Sequence, residues 1–265
     1  MINAELLEAI DSEFESALKR NKKIASLYAK VRDGTATFEN ASDLAIEIGE
    51  ELSAAFGEYI VPTNLPNGRM TFAIGDEVVK PELIKGYDYT SSYFNQVQEA
   101  YYKSKRLNIK GAKPDMLESR LEGFINKLTS DEYDNVRWIL EDPGYIQNYL
   151  EAVVDTGIKN NVGMLGQAGI RARIVREVDA GACKWCMNLA GIYEYPVYDD
   201  DIYRRHRDCH CKVTYEISDG FRQDVWSKKS WQVDDGAEQR QRFEITKTKL
   251  SPERAKELEE ILLNN

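Results

Sequence analysis

The chain has 265 residues, of which 42% are hydrophobic and 30% are charged, and its formal net charge is −10. This size is sufficient for one large hydrophobic core or two smaller ones. The negative charge argues against a protein that coats nucleic acid over its whole surface, so any contact with DNA is expected to come from a local basic patch.

No run of about 18 apolar residues occurs, so we expect no membrane span. The first residues are acidic and amphipathic, without the basic start and apolar stretch of a signal peptide. We therefore expect a protein made in a reducing cytosol, or in a particle assembled there. In that setting a group of cysteines is expected to bind a metal rather than to form disulfides.

The first half of the chain has the apolar spacing of helices. Leu44 opens a four-residue repeat that runs to Phe56, with Asn40 or Ser42 as its expected N-cap. Turn residues interrupt the pattern after residue 60, and residues 69–79 are predicted to form a short hairpin.

The second half begins with a predicted long helix and continues with predicted strands. Asp142-Pro143 is a typical helix start, and the helix is expected to reach about residue 168. Gly157, Gly163 and Gly166 weaken that prediction for its second half. Alternating apolar residues then predict strands at 171–178, 192–197 and 211–217.

These patterns together predict an α+β fold with three parts. Residues 1–168 form a mainly helical body, and residues 169–232 form a small β-rich module that binds zinc through cysteine and histidine. Residues 233–265 form a polar tail with a terminal helix, which Ser251 caps and Pro252 begins.

All four cysteines and both histidines lie between residues 183 and 211. Zinc takes four ligands in a tetrahedron and is well satisfied by thiolates, and two cysteines separated by two residues bind one ion through a tight turn. The residues favour Cys183, Cys186, Cys209 and Cys211 as ligands, and the next choice replaces one distal cysteine by His206. His210 would point away from the site. A thiolate-rich set with every position filled indicates a structural ion rather than a catalytic one.

A basic group lies inside the same segment. Arg204, Arg205 and Arg207 are candidate contacts to DNA or another phosphate. The alternative interpretation, a solvated module surface, stays open on the sequence alone.

The cysteine segment resembles the C-terminal signature of the tailed-bacteriophage minor head proteins, the Mu F-like group. That signature has Cys-x-x-Cys, then Leu-x-Gly with an aromatic, then His-Pro-x-Cys-x-Cys. This chain has Cys183-Lys-Trp-Cys186, then Leu189-Ala-Gly191 with Tyr193, then His206-Arg-Asp-Cys209-His-Cys211. The likeness covers residues 171–215. Arg207 replaces the proline, and Arg176-Glu177-Val178 stands where the family has Arg-Thr-Glu.

The resemblance implies a structural, non-enzymatic minor head (minor capsid) protein that acts in head assembly or in genome packaging and ejection. The implied partners are the portal or major capsid protein and packaged double-stranded DNA, with an oligomer in the virion. The implied location is the capsid interior or portal vertex, with the host cytoplasm during assembly. Zinc would be held by residues from the set Cys183, Cys186, His206, Cys209 and Cys211. The alternative function is a zinc-braced enzyme or binding module that acts on nucleic acid.

Overall fold

The computed structural model describes residues 3–129, 137–179, 181–197, 200–206 and 209–222, with side chains up to residue 217. Arg207 and the predicted tail with its terminal helix lie outside the described residues. The helices are α1 Asn3–Arg20, α2 Lys22–Arg32, α3 Phe38–Tyr59, α4 Phe72–Ile74, α5 Lys80–Ser104, α6 Glu118–Leu128, α7 Trp138–Glu141, α8 Pro143–Gln167 and α9 Lys184–Asn188. The strands are β1 Ile170–Glu177, β2 Gly191–Glu194 and β3 Lys212–Arg222.

The helix starts follow from side chains that satisfy free backbone N–H groups. Asn21 caps α2, and Asp142 caps α8 with Pro143 at the first helical position, as predicted. The predicted cap of α3 was wrong by a few residues. Thr37 is the N-cap, and Asn40 instead closes a capping box by accepting from the Thr37 backbone N–H.

The hairpin predicted at residues 69–79 does not form. Thr71 caps α4, and one wide helical turn at Gly75–Val79 leads directly into α5. Met70, Ile74 and Val78 are buried at four-residue spacing, so a helical path places all three in the core. The adjacent residues Val78 and Val79 are both buried, whereas a strand would point them to opposite faces.

The predicted long helix α8 runs to Gln167, and two of its glycines have a packing role. A Cβ on Gly157 would lie 2.6 Å from the Phe94 ring, and one on Gly166 would lie 2.1 Å from the Tyr195 ring. Both glycines therefore let an aromatic side chain pack directly on the helix backbone, which outweighs their low helix propensity.

The sheet has the order β2-β1-β3, with both pairs antiparallel. Ile174 of β1 pairs with Tyr193 on one side and with Tyr215 on the other. Ala172, Ile174 and Tyr215 belong to the same apolar cluster as α1, α3, α5 and α8. Phe38 packs on Tyr215 with ring centroids 4.8 Å apart. This shared cluster, the main core, thus crosses the boundary that the sequence placed between residues 168 and 169.

A second apolar cluster, the small core, surrounds the cysteines. It consists of Val178, Ala182, Cys186, Met187, Ala190, Cys209 and Cys211. Among the described helices, none combines the length and the apolar character that crossing a membrane requires.

Candidate metal centre

The proximal cysteines lie at the start of the short helix α9. Cys183 is its N-cap, and the Cys183 sulfur accepts a hydrogen bond from the Cys186 backbone N–H at 3.5 Å. Helix geometry then turns the Cys186 side chain to the same side as Cys183. The N-terminus of a helix also favours the thiolate form of a cysteine.

The distal residues lie in a loop that is attached to α8. The Asn148 side chain donates to the His206 carbonyl at 2.6 Å, and the Arg205 guanidinium donates to the Cys209 carbonyl at 3.3 Å. Asn148, Glu151 and Asp155 occupy one face of α8. This face therefore sets the height of the distal loop relative to α9.

The two segments bring five predicted ligands together, and we call this group the Cys/His cluster. The His206 Nε2 atom lies 3.1 Å from the sulfur of Cys183 and 3.1 Å from the sulfur of Cys186. The Cys186 and Cys209 sulfurs are 3.4 Å apart. Cys183, Cys186 and His206 form one compact triplet, and Cys186, Cys209 and Cys211 form another, each with its donor atoms within 4.8 Å. Cys186 belongs to both triplets and lies at the centre of the Cys/His cluster.

The thiols influence each other's protonation. Hydrogen bonds to Cys209 and Cys211, together with burial, raise the pKa of Cys186, whereas the hydrogen bond with Cys186 lowers the pKa of Cys209. Burial opposes ionisation of Cys183, but hydrogen bonds from the Cys186 backbone and from His206 lower its pKa in net. The sulfurs thus share protons in a small volume, and a bound cation would displace those protons.

Arg176 is a residue of this site that the sequence interpretation missed. It is 0% exposed, and its Nη2 atom lies 3.9 Å from the Cys186 sulfur. The guanidinium also donates to the carbonyls of Ile202 and Arg204 and lies 5.7 Å from the centre of the Trp185 ring. The signal was present in the sequence, because Arg176 continues the buried face of β1 two residues after Ile174.

The positive charge of Arg176 can stabilise a negatively charged metal–thiolate group beside it. Zinc with three or four thiolates carries a net negative charge, and burying that charge is costly without a counter-charge. Trp185 completes this side of the site, with its ring centroid 5.8 Å from that of His206.

The three candidate phosphate contacts differ in their exposure and their partners. Arg204 is 72% exposed at its side chain and pairs with Asp201 at 2.8 Å, whereas Arg207 lies outside the described residues. Arg205 does not fit the prediction of a surface contact, because its side chain is 0% exposed and forms ion pairs with Glu151 and Asp155. Arg205 therefore holds the distal loop on α8 and does not reach a phosphate on the surface.

Burial and the Arg205 charge act in opposite directions on the pKa values of its two carboxylate partners. Burial raises the pKa of both Glu151 and Asp155, and the Arg205 charge counteracts that shift. Glu151 also contacts the Nδ1 atom of His210 at 3.4 Å. His210 belongs to neither ligand triplet. Its ring faces Glu151, which agrees with the prediction that His210 points away from the site.

Comparison of the chain with models of protein families, with curated proteins and with solved structures finds no match.

Proposed function

We propose that the Cys/His cluster binds one structural zinc ion. Tetrahedral zinc with Zn–S bonds of ~2.3 Å places sulfurs ~3.8 Å apart. The Cys186 and Cys209 sulfurs are 3.4 Å apart, and the His206 Nε2 atom lies 3.1 Å from two of the sulfurs, so the donors approach that arrangement and need only a small expansion. Cys183, Cys186 and Cys209 supply three ligands, and His206 or Cys211 supplies the fourth.

The surroundings support a structural role for the ion. Five protein donors are available for four coordination positions. No position therefore stays open for water or substrate, whereas a catalytic zinc ion needs one. The small core contributes only a few small apolar side chains besides its cysteines. A bound metal supplies the folding free energy that such a core lacks.

For the whole chain, the proposed function is that of a minor head protein of a tailed bacteriophage. The spacing of Cys183, Cys186, His206, Cys209 and Cys211 supports this proposal, and so does the convergence of these residues in space. The protein would join the portal or major capsid protein, as an oligomer in the virion, and accompany packaged DNA. The zinc-stabilised loop would then serve as a rigid docking element and not as an active site.

The first experiment measures the metal content of the purified chain by elemental mass spectrometry. We expect about one zinc per chain, and removal by a chelator should expose residues 178–211 to protease while the main core stays folded. The Trp185 fluorescence should change on chelation, because its ring neighbours His206. A folded, metal-free protein with four free thiols would contradict the zinc proposal.

Two histidine variants test the ligand assignment. Either His206→Ala or Cys211→Ser should weaken zinc binding, measured by competition with a chromogenic chelator, whereas the matched control His210→Ala should keep it. Cys211→Ser identifies the fourth ligand, since only one of His206 and Cys211 should be essential. Equal zinc affinity in all three variants would exclude the proposed ligand set.

The virion role has a separate test. Mass spectrometry of purified heads from the phage that encodes this chain should find it at low copy, and co-expression should yield a complex with the neighbouring portal protein. Absence of this chain from purified heads would contradict the head function and leave the zinc proposal intact.

The contact between His210 and Glu151 favours one alternative function, an enzyme that acts on nucleic acid. A buried carboxylate that orients a half-exposed histidine is an arrangement used in general base catalysis. Nuclease activity that His210→Ala abolishes, with zinc content unchanged, would favour this alternative over the structural one.

A further inference from the structure

A cavity lies beside Asn148, whose side chain also donates to the His206 carbonyl. It is a cleft of about 310 Å³ between α6 and α8. Helix α6 contributes Arg120, Gly123, Phe124 and Lys127, whose spacing places them on one face, and α8 contributes Tyr145, Asn148 and Tyr149. Arg205 reaches the cleft from the distal loop.

The charge of this cleft differs from that of the chain. Its described lining contains three cationic side chains and no acidic one, although the chain as a whole has a net charge of −10. Arg205 is neutralised by Glu151 and Asp155. The attraction for an anion therefore comes mainly from Arg120 on the exposed rim.

The rim and the floor of the cleft each offer a hydrogen-bond donor. The Arg120 guanidinium donates to the Asn148 side chain at 2.5 Å, a contact that uses one of its five N–H groups and fixes its direction. Tyr149 is 5% exposed, and its buried hydroxyl has no hydrogen-bond partner within the described part of the chain. This hydroxyl interacts electrostatically with Arg120.

Aromatic rings form the walls. Phe124 and Tyr145 are half-buried on opposite helices. Lys127 lies 4.9 Å from the centre of the Tyr145 ring and 5.0 Å from that of Trp138. The cleft thus combines a cationic end that suits an oxyanion with apolar faces that suit a planar ring.

We propose that this cleft binds a small phosphate monoester that carries a planar ring, with the phosphate at Arg120 and the ring between Phe124 and Tyr145. Arginine binds phosphate through paired N–H groups, and the unpartnered Tyr149 hydroxyl is a further donor for it. The site is separate from the Cys/His cluster and does not depend on zinc.

Isothermal titration with adenosine monophosphate, inorganic phosphate and adenosine tests this proposal. We expect adenosine monophosphate to bind more tightly than phosphate, and adenosine to bind least. Arg120→Gln should weaken adenosine monophosphate binding by about tenfold or more, which corresponds to loss of a charge-assisted contact. The matched control Arg173→Gln removes one exposed, ion-paired charge on the sheet and should leave binding unchanged.

A second variant tests the place of binding without changing charge. A Cβ on Gly123 would meet no atom within 4 Å, so Gly123→Leu fills space in the cleft and also improves helix propensity. This variant should fold and lose binding. The proposal would be overturned if adenosine monophosphate does not bind, if it binds no more tightly than adenosine, or if both variants leave its binding unchanged. Zinc content measured on the same samples keeps this result separate from the metal proposal.

Discussion

The main core and the small core lie next to each other but are stabilised in different ways. The main core unites α1, α3, α5, α8 and the inner face of the sheet through large apolar side chains. The small core has a valine, a methionine and two alanines around three cysteines. Burial of a large apolar side chain contributes about 1.5–3 kcal/mol, whereas ordering the backbone costs about 1–2 kcal/mol per residue. The main core meets that cost by hydrophobic burial, whereas the small core relies on buried ionic contacts and, as proposed above, on a bound metal.

The difference shows how a short irregular segment keeps a defined shape. Between β1 and β3 the chain forms the short helix α9, the strand β2 and one 3₁₀ turn at Asp200–Tyr203. Arg205 attaches this segment to α8, and Arg176 attaches it to β1. Two buried arginines therefore hold the segments of the small core in place, whereas aromatic packing holds the elements of the main core.

The largest effect is expected from a cavity in the main core. Phe94 is 0% exposed and contacts Phe38 with ring centroids 5.6 Å apart. Phe94→Ala should lower the free energy of unfolding by about 3–5 kcal/mol, and helix and sheet signals should be lost together in urea. The control Phe72→Ala, at a side chain 59% exposed, should change stability by less than about 0.5 kcal/mol. Separate transitions for helix and sheet would break the claim of one shared core.

The next effect concerns the attachment of the small core. Arg205→Met leaves Glu151 and Asp155 as buried carboxylates without their cation, so it should cost about 3–5 kcal/mol. Hydrogen exchange should show the loss at residues 200–211, and zinc affinity should fall with it. Arg204→Met removes an exposed ion pair and should cost under about 1 kcal/mol. Equal stability of the two variants would show that Arg205 is not the anchor.

The smallest effect is a pH dependence that belongs to the main core alone. Burial, with the nearby Asp11 carboxylate, raises the pKa of Glu82 from 4.5 to about 7. The folded protein therefore keeps a proton that the unfolded chain releases between pH 4.5 and 7, so stability falls as the pH rises through this window.

Glu82→Gln tests this assignment, because it removes the group that titrates. The variant should gain about 1–3 kcal/mol relative to the wild type at pH 8, where the wild-type carboxylate is buried and charged, and the gain should vanish near pH 4. Urea unfolding at several pH values measures it, and a difference between the two proteins that does not vary with pH would contradict the assignment. Zinc affinity should be the same in both proteins at each pH, since Glu82 lies on α5 away from the Cys/His cluster.

The sequence alone determined the parts of this protein that depend on local pattern. Apolar periodicity and a proline at the first helical position predicted α8, and alternation predicted β1. The spacing of cysteines and histidines predicted which residues would meet, and the structure brings all five candidates together. The helix and the strand repeat their patterns within a few neighbouring residues, and each half of the Cys/His cluster is itself a short motif, so short-range geometry dominates in all of them.

Only the tertiary structure decided how those parts are connected. Residues 69–79 are predicted from the sequence to form a hairpin, but packing on α5 and α1 makes residues 72–79 helical. Arg205 looks like a surface charge, yet two carboxylates of α8, 50 and 54 residues away in the chain, draw it inside. The sheet looks like a separate module, yet its inner face completes the main core. Contacts between residues far apart in the chain leave no local pattern, because the free energy that favours them exists only once the partners have met.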